Sequence, residues 1–407
     1  MPESDSIVIV GGGHAGAQLC GALAAAGHAA RVHLVCEEPE LPYHRPPLSK
    51  SFLKNAGESP LWHRAESWFA DAGISLHRAD PAVAIDRAKR TLRLRSGAVL
   101  AYGTLVLATG ARARRLPHLP PSLCNVATVR TAADASRLRD LLGSHRALTV
   151  VGGGFIGLEI AEAARALGLT VQLLESAPRL LMRAVSSEVA DHVLATHRGN
   201  GIDIRLGVAV GSFELAGDRL EALAVDGIAQ AVELMVQGIG AVPEHELASA
   251  AGLHCENGIV VDEHLRTSDP SILAIGDCSS FPDGTTGRRL RLESVQNAND
   301  QARTALATIT GTPQPYRAVP WFWSDQGALR LQMAGLVPPD GERHRRDGAT
   351  PGNFSILHYV GDRLACVESV NAPMDHMAAR KLLESGRTVS PALACDPAVP
   401  LRQRLVA

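Results

Sequence analysis

The stretch IVGGGHAGAQ at Ile9–Gln18 has a counterpart in VVGGGFIGLE at Val150–Glu159, and the two align without a gap, 141 positions apart. Each copy spaces its glycines as GxGxxG. In that pattern the first glycine makes a tight turn, the second admits a pyrophosphate to the backbone, and the third lets helix and strand pack closely. The glycines are Gly11, Gly13 and Gly16 in the first copy and Gly152, Gly154 and Gly157 in the second.

The residues on either side of each turn complete a strand–helix–strand unit. In the first copy SIVIV precedes the turn, AQLCGALAAAG follows it as a helix ended by Gly27, and ARVHLV leads to Glu37. In the second copy the same parts are ALTVV, LEIAEAARALG and TVQLLE, which ends on Glu175. A lone GxGxxG is weak evidence, but two complete units predict two dinucleotide sites, each with phosphates at a helix N-terminus.

The acids that end the second strands indicate which nucleotides bind. A carboxylate there accepts hydrogen bonds from ribose hydroxyls and repels a 2′-phosphate, so Glu175 favours NADH over NADPH. Arg179, four positions on, leaves some room for NADPH. A chain with two such sites most simply moves electrons between a tightly held flavin and a mobile nicotinamide.

Composition excludes several other classes of protein. The chain has 407 residues, 46% of them apolar, and a formal net charge of −2, which favours neither nucleic acid nor an anionic membrane. No apolar run approaches the ~20 residues of a membrane span, and no basic segment opens a signal peptide. Seven scattered cysteines without CxxC spacing argue against a disulfide framework, a zinc site or a dithiol centre. We therefore expect a cytoplasmic protein, and a monomer because no heptad pattern is present.

Two short segments outside the turns are also candidates for cofactor contact. Ala108, Thr109 and Gly110 follow an apolar strand, and their small size would admit a cofactor to the backbone, although an ordinary β-turn reads the same way. Gly276 and Asp277 follow the predicted strand Ile272–Ile275, where open α/β sheets bind ligands, although an aspartate there is often a helix cap.

Together these segments resemble the two-dinucleotide-binding flavoproteins, of which glutathione reductase is one branch. The resemblance implies an α/β fold with two Rossmann-like dinucleotide-binding domains and a C-terminal α+β interface domain. It implies a discontinuous FAD-binding domain, residues 1–112 and 237–317, an inserted NAD(H)-binding domain, 113–236, and an interface domain, 318–407.

Two further motifs point to one branch of that family. LPYHRPPLSK at Leu41–Lys50 and PWFWSDQGALRLQMAGL at Pro320–Leu336 resemble the oxygenase-coupled ferredoxin reductases, and the reactive cysteine of disulfide reductases is missing after the first unit. The resemblance implies electron transfer from NADH through FAD to a [2Fe–2S] ferredoxin. That ferredoxin would feed a terminal oxygenase, either an aromatic-ring dioxygenase or a cytochrome P450. The alternatives are an NADH oxidase or peroxidase and a flavoprotein of the apoptosis-inducing-factor type.

The family's binding positions carry over onto this chain. For FAD the resemblance implies Gly11, Gly13, His14, Ala15, Gly16, Glu37, Arg45, Lys50, Val83, Ala108, Thr109, Gly110, Arg130, Gly276, Asp277, Val295 and Trp323. For NAD it implies Gly152, Gly154, Phe155, Ile156, Gly157, Glu159, Glu175, Gly238 and Gly240. Many relatives have tryptophan at the position of Val295, so a backbone contact is expected there rather than ring stacking.

Lys50 and Glu159 are the expected catalytic residues. Lys50 would stabilise negative charge on the reduced flavin and pair with Glu159 when the nicotinamide site is empty. The alternatives are a surface lysine and a glutamate that caps or solvates the first helical turn.

The ferredoxin is expected to dock on a basic face. The candidates are Arg288, Arg289, Arg291 and Arg330. Trp321 and Trp323 are expected either at the flavin edge or in the core of the last domain.

Overall fold

The strand that precedes each glycine-rich turn is the middle strand of a five-stranded parallel sheet. The computed structural model describes residues 5–284 and 286–405. The described residues form two compact units, one drawn from positions 5–45, 60–112 and 241–318 and the other from positions 46–59, 113–240 and 319–405. Each unit contains one of the two turns.

The first unit is built on the sheet ordered Ile272–Ala274, Thr104–Leu107, Ile7–Val10, Val32–Val35 and Ser75–His77. Four of these strands are short and almost wholly buried, as parallel strands covered on both faces must be, whereas the edge strand Ser75–His77 is partly exposed. The helices His14–Ala25 and Val295–Ile309 pack against each other. A small antiparallel sheet joins Ala82–Asp86, Thr91–Leu94 and Val99–Ala101, and another small sheet joins Ile259–Val260, Ser279–Pro282 and Arg289–Leu290. The unit also contains the helices Glu66–Ala72 and Glu246–Ala250.

The second unit repeats this plan around Ala147–Val151. Its parallel sheet is ordered Asp203–Leu206, Thr170–Glu175, Ala147–Val151, Leu234–Gln237 and Val126–Ala127. The accompanying helices are Ser51–Lys54, Ala132–Ser144, Phe155–Ala166 and Ser187–Gly199, and an antiparallel sheet joins Val210–Ala216, Arg219–Val225 and Ile228–Ala231.

The C-terminal part of the second unit is an antiparallel sheet with one main helix. Its strands are ordered Trp321–Gln326, Leu329–Gly335, Arg363–Val370, Phe354–Val360 and Glu342–Asp347. The helix Pro373–Ser385 buries Ala378, Ala379 and Leu382 in a cluster with Leu357 and Val367. The α/β class with two Rossmann-like units and a C-terminal α+β part is confirmed.

Candidate functional site

The first glycine-rich turn leaves no room for side chains on two sides. Gly11 has a φ of +114°, and a Cβ there would lie 2.1 Å from the carbonyl oxygen of Ala108. A Cβ on Gly16 would lie 2.0 Å from the carbonyl oxygen of Gly11. Around Gly13, by contrast, the nearest atom to a Cβ is Nε of Arg45, at 3.9 Å. The turn therefore has one open face, at the N-terminus of the helix His14–Ala25, where a pyrophosphate fits.

Three of the motifs singled out in the sequence meet at this turn. The strands that end at Val10, Leu107 and Ala274 are neighbours in register, so their carboxyl ends lie at one edge of the sheet. A Cβ on Gly276 would lie 3.0 Å from Cβ of Ala15. The structure thus brings together Ala108, Thr109 and Gly110 with Gly276, Asp277 and the first turn, as a dinucleotide site at the carboxyl edge requires.

The other positions of the first unit expected to hold FAD are more dispersed. Val83 lies on the strand Ala82–Asp86, and Val295 is the first residue of the helix Val295–Ile309. The guanidinium of Arg45 is held by Glu38, at 2.7 Å, and by the hydroxyl of Tyr43.

The acid at the end of the second strand differs between the two units. Val35 and Leu174 occupy matching register positions, so the counterpart of Glu175 is Cys36 rather than Glu37. Glu37 is exposed one residue further on. Burial raises the pKa of the Cys36 thiol to about 12, with a smaller contribution from Glu38, so Cys36 is not a reactive thiolate.

The second turn has the same geometry as the first. Gly152 has a φ of +110°, and a Cβ there would lie 2.4 Å from the carbonyl oxygen of Gly238. A Cβ on Gly157 would lie 2.2 Å from the carbonyl oxygen of Gly152. Gly154 again lies on the open side, with its nearest neighbour 3.8 Å away.

Glu175 is oriented by the backbone of this turn. One carboxylate oxygen accepts from the amide of Gly153, at 2.6 Å, and the other from the amide of Ala177, at 2.7 Å. Arg179 donates to the carbonyl oxygens of Val185 and Met182. The guanidinium nearest in sequence to Glu175 is therefore committed to the backbone.

Glu159 is the best-connected acid near the second turn. It is buried, and its two carboxylate oxygens accept from different serines: Ser49 at 2.5 Å and Ser324 at 2.6 Å. Nζ of Lys50 lies 2.8 Å from the oxygen that Ser49 reaches, and Lys50 also donates to the carbonyl of Pro46. Glu159 neither caps nor solvates its helix, and Lys50 is not a free surface lysine. The predicted ion pair of Lys50 with Glu159 is present in the structure.

The other residues of the second unit expected to bind a cofactor lie on several different elements. Phe155 packs on Phe322, with ring centroids 4.6 Å apart, and Ile156 is exposed. The backbone amide of Arg130 donates to Asp134, just before the helix Ala132–Ser144. Trp323 is half-buried on the strand Trp321–Gln326, and Gly240 has a φ of +102° with open space around it.

Sequence reasoning missed the two serines that hold Glu159. Ser49 lies inside the quoted RPPLSK and Ser324 inside PWFWSDQ, but a serine in a motif carries no sign of its partner. Their roles depend on contacts across 110 and 165 positions of sequence.

Most of the expected docking arginines have partners within the protein. Arg289 donates to the carbonyls of Val261 and Ser280, Arg291 pairs with Glu293, and Arg330 pairs with Asp325. Arg288 is exposed. Trp321 packs beside the C-terminal core cluster, with Arg380 over its ring at 4.2 Å.

Comparison with known proteins gives matches along nearly the whole chain. Residues 5–302 match the model of the pyridine nucleotide-disulphide oxidoreductases, and residues 321–405 match a reductase C-terminal domain. Rhodocoxin reductase of Rhodococcus erythropolis is 43% identical over 96% of this chain and 92% of its own.

Two solved structures are similar throughout. The ferredoxin reductase for the CYP199A2 system from Rhodopseudomonas palustris has a TM-score of 0.95 and 42% identity, covering 98% of this chain and 100% of that one. The covalent putidaredoxin reductase–putidaredoxin complex has a TM-score of 0.93 and 38% identity, covering 99% and 98%. Among the described residues no helix is long and apolar enough to cross a membrane.

Proposed function

This chain belongs to the pyridine nucleotide-disulphide oxidoreductase family, and we propose that it is an NADH-dependent, FAD-containing ferredoxin reductase. The resemblance to oxygenase-coupled ferredoxin reductases, based on LPYHRPPLSK and the C-terminal motif, is confirmed by the relatives. The electron acceptor is a [2Fe–2S] ferredoxin that feeds a terminal oxygenase, an aromatic-ring dioxygenase or a cytochrome P450.

The observation that carries the proposal is the pair of turns with one open face each. Both present helix N-terminal amides on the side of Gly13 and Gly154, and both are closed elsewhere by backbone at contact distance. The donor set fits two dinucleotides, because helix N-terminal amides bind pyrophosphate without a charged side chain.

We assign FAD to the first unit and NADH to the second. At the first turn, the small residues Ala108, Thr109 and Gly110 and the pair Gly276 and Asp277 lie beside the glycines, so the backbone can approach a tightly held cofactor closely. The second turn has Glu175 aligned by two amides, a ready acceptor for ribose hydroxyls. Because the guanidinium of Arg179 is bound to backbone carbonyls, NADH is favoured over NADPH.

The chain's own contribution to the reaction is positioning and charge. Bound FAD supplies the capacity to take two electrons from a nicotinamide and to release them one at a time. Lys50 offers a cation for the negative charge that reduction creates, and Glu159 fixes its position. Ser49 and Ser324 in turn fix both oxygens of Glu159, so the ion pair is already oriented before substrate arrives.

The proposed function does not use a reactive cysteine thiolate. All seven cysteines are free, and Cys20, Cys36, Cys278 and Cys366 are buried. This disfavours a peroxidase that works through a reactive thiolate. The apoptosis-inducing-factor type of flavoprotein remains the second candidate, since it uses the same two turns without rapid turnover.

The domain organisation belongs to the same proposal. FAD-binding residues 1–112 and 237–317, NAD(H)-binding residues 113–236 and an interface domain of 318–407 stay a prediction. A monomeric state also stays a prediction. So does a cytoplasmic location, which the seven free cysteines support.

Anaerobic titration with NADH, followed in the visible spectrum, tests the proposal. We expect yellow protein that bleaches with about one NADH per flavin, and then rapid transfer to an added [2Fe–2S] ferredoxin. Slow oxidation with a persistent long-wavelength band would favour the second candidate instead. Colourless protein that does not take up FAD would overturn both.

A further inference from the structure

Three histidine rings lie against one another beside the first glycine-rich turn. The ring centroids of His44 and His63 are 3.9 Å apart, and His14 lies 4.7 Å from His63 and 5.3 Å from His44. Each ring offers a nitrogen, and these three nitrogens lie within 4.8 Å of one another. His14 is buried and the other two are half-buried.

The backbone, not chance side-chain placement, brings these rings together. His14 is the first residue of the helix His14–Ala25. His44 and His63 flank an antiparallel bridge between Tyr43 and Trp62. The amide of His44 donates to Leu61 and the amide of His63 to Pro42, each at 2.8 Å. The two histidines are thus held across a ladder whose spacing the main chain sets.

The ring of His63 is arranged as a ligand would be. Its Nε2 is buried and has no hydrogen-bond partner in the described part of the chain. A hydrogen bond to the backbone of Tyr43 engages the ring's other nitrogen. Metal-bound histidines commonly donate one nitrogen to a backbone carbonyl, which fixes the tautomer and leaves the other for the ion. An unsatisfied buried acceptor is otherwise unfavourable.

We propose that His14, His44 and His63 form a binding site for one zinc-type divalent ion, with water as the fourth ligand. Three imidazole nitrogens and one open position are a familiar zinc ligand set, and imidazole suits zinc better than magnesium or calcium. This set contains no cysteine, so the lack of CxxC spacing, which argued against a zinc site in the sequence, does not bear on it. A Zn–N bond of about 2.0–2.1 Å places tetrahedral ligands roughly 3.4 Å apart, so the cluster contracts slightly on binding.

Arg45 and Arg64 lie beside the three histidines, and the positive charge of Arg45 is balanced by an acid. Arg45 is ion-paired with Glu38 at 2.7 Å. Arg64 donates to the backbone carbonyl of His63 and lies over the ring of Trp68, 5.5 Å from its centroid. Bound zinc would fasten the segments around His44 and His63 to the first turn of the helix His14–Ala25.

The test uses untagged holoprotein, freed of metal by a chelator and then titrated with Zn²⁺ by calorimetry. We expect one ion per chain, and at least about a tenfold loss of affinity in His63→Gln, in line with the loss of one of three protein ligands. His44→Gln should lose affinity likewise. His254→Gln is the matched control, because His254 is exposed and lies outside the cluster.

Flavin absorbance of each variant shows whether the fold and FAD content are intact. X-ray absorption at the zinc edge should report three imidazole nitrogens in the wild type. Binding in His63→Gln equal to that of His254→Gln, at normal flavin content, would overturn the site. So would a wild-type stoichiometry near zero.

Discussion

The Oγ of Ser324 donates to Oε1 of Glu159 at 2.6 Å, although the two residues are 165 positions apart. The hydroxyl of Ser324 in turn accepts a hydrogen bond from the side-chain amide nitrogen of Gln326. The side-chain oxygen of Gln326 lies 2.7 Å from Nε2 of His197, which is fully buried. A strand of the C-terminal sheet thus orients the carboxylate that pairs with Lys50. The last part of the chain therefore shares with Ser49 in fixing the geometry of the proposed catalytic pair.

Ser324→Ala should lower the free energy of unfolding by about 1–3 kcal/mol, because it leaves a buried carboxylate oxygen without its donor. Ser324→Thr keeps the hydroxyl and serves as the control. Urea unfolding followed by fluorescence gives the difference. An alanine variant as stable as the wild type would show that Ser324 does not hold Glu159.

Lys50→Gln should slow reduction of the flavin by NADH about tenfold or more, because the cation that offsets the developing negative charge is gone. Rapid mixing with NADH measures the rate from the loss of flavin absorbance. The double variant Lys50→Gln with Glu159→Gln leaves no unpaired buried charge and should recover stability but not rate. Recovery of the rate would assign the defect to folding.

Gly157→Ala should give yellow protein that dithionite reduces but NADH does not, since its Cβ would lie 2.2 Å from the carbonyl oxygen of Gly152. Gly16→Ala, with a Cβ 2.0 Å from the carbonyl oxygen of Gly11, should give the opposite defect, loss of bound FAD. Gly143→Ala is the control, because a Cβ there meets nothing within 4 Å. Equal defects in both turns would contradict our assignment of the two nucleotides.

Glu175→Ala should raise KM for NADH by roughly ten- to a hundredfold, because hydrogen bonds to a carboxylate are worth about 1.5–3 kcal/mol each. KM for NADPH should change less, since the repulsion of a 2′-phosphate disappears together with the acceptor. Steady-state kinetics with both nucleotides measures the ratio. An unchanged preference would remove Glu175 from the ribose site.

His376→Leu should stabilise the protein, and more so at pH 5 than at pH 8. His376 is buried beside Trp321, and neither of its ring nitrogens has a hydrogen-bond partner among the described residues. Burial, with a smaller effect of Arg380, lowers the pKa of His376 to about 4.

The unfolded chain takes up a proton at His376 near pH 6.5, before the folded one does. The free energy of unfolding of the wild type therefore falls as the pH drops from about 6.5 toward 4, and the leucine variant does not share this loss. Thermal melts at both pH values measure the difference. His254→Leu is the exposed control, and an equal gain at both pH values would contradict the proton linkage.

Local sequence was enough for the two nucleotide units. The strands ALTVV and TVQLLE were predicted with the bounds that the structure gives, Ala147–Val151 and Thr170–Glu175. The helix after the first turn ends at Ala25, two residues before Gly27, whose φ of +80° suits a glycine. These features depend on neighbours in sequence, on strand propensity, and on the absence of side chains at tight turns.

Sequence by itself determined the two turns, their order along the chain and the motifs that mark the family. Only the tertiary structure decided which side chains meet, namely Ser49 and Ser324 at Glu159 and three histidines in one cluster. It also decided that Cys36 takes, in the first unit, the position that Glu175 has in the second. The physical reason is how far apart in the sequence the interacting residues lie. A glycine turn is dictated by steric contact within a few residues, whereas a buried carboxylate takes its donors from whichever strands the packing of the core brings beside it.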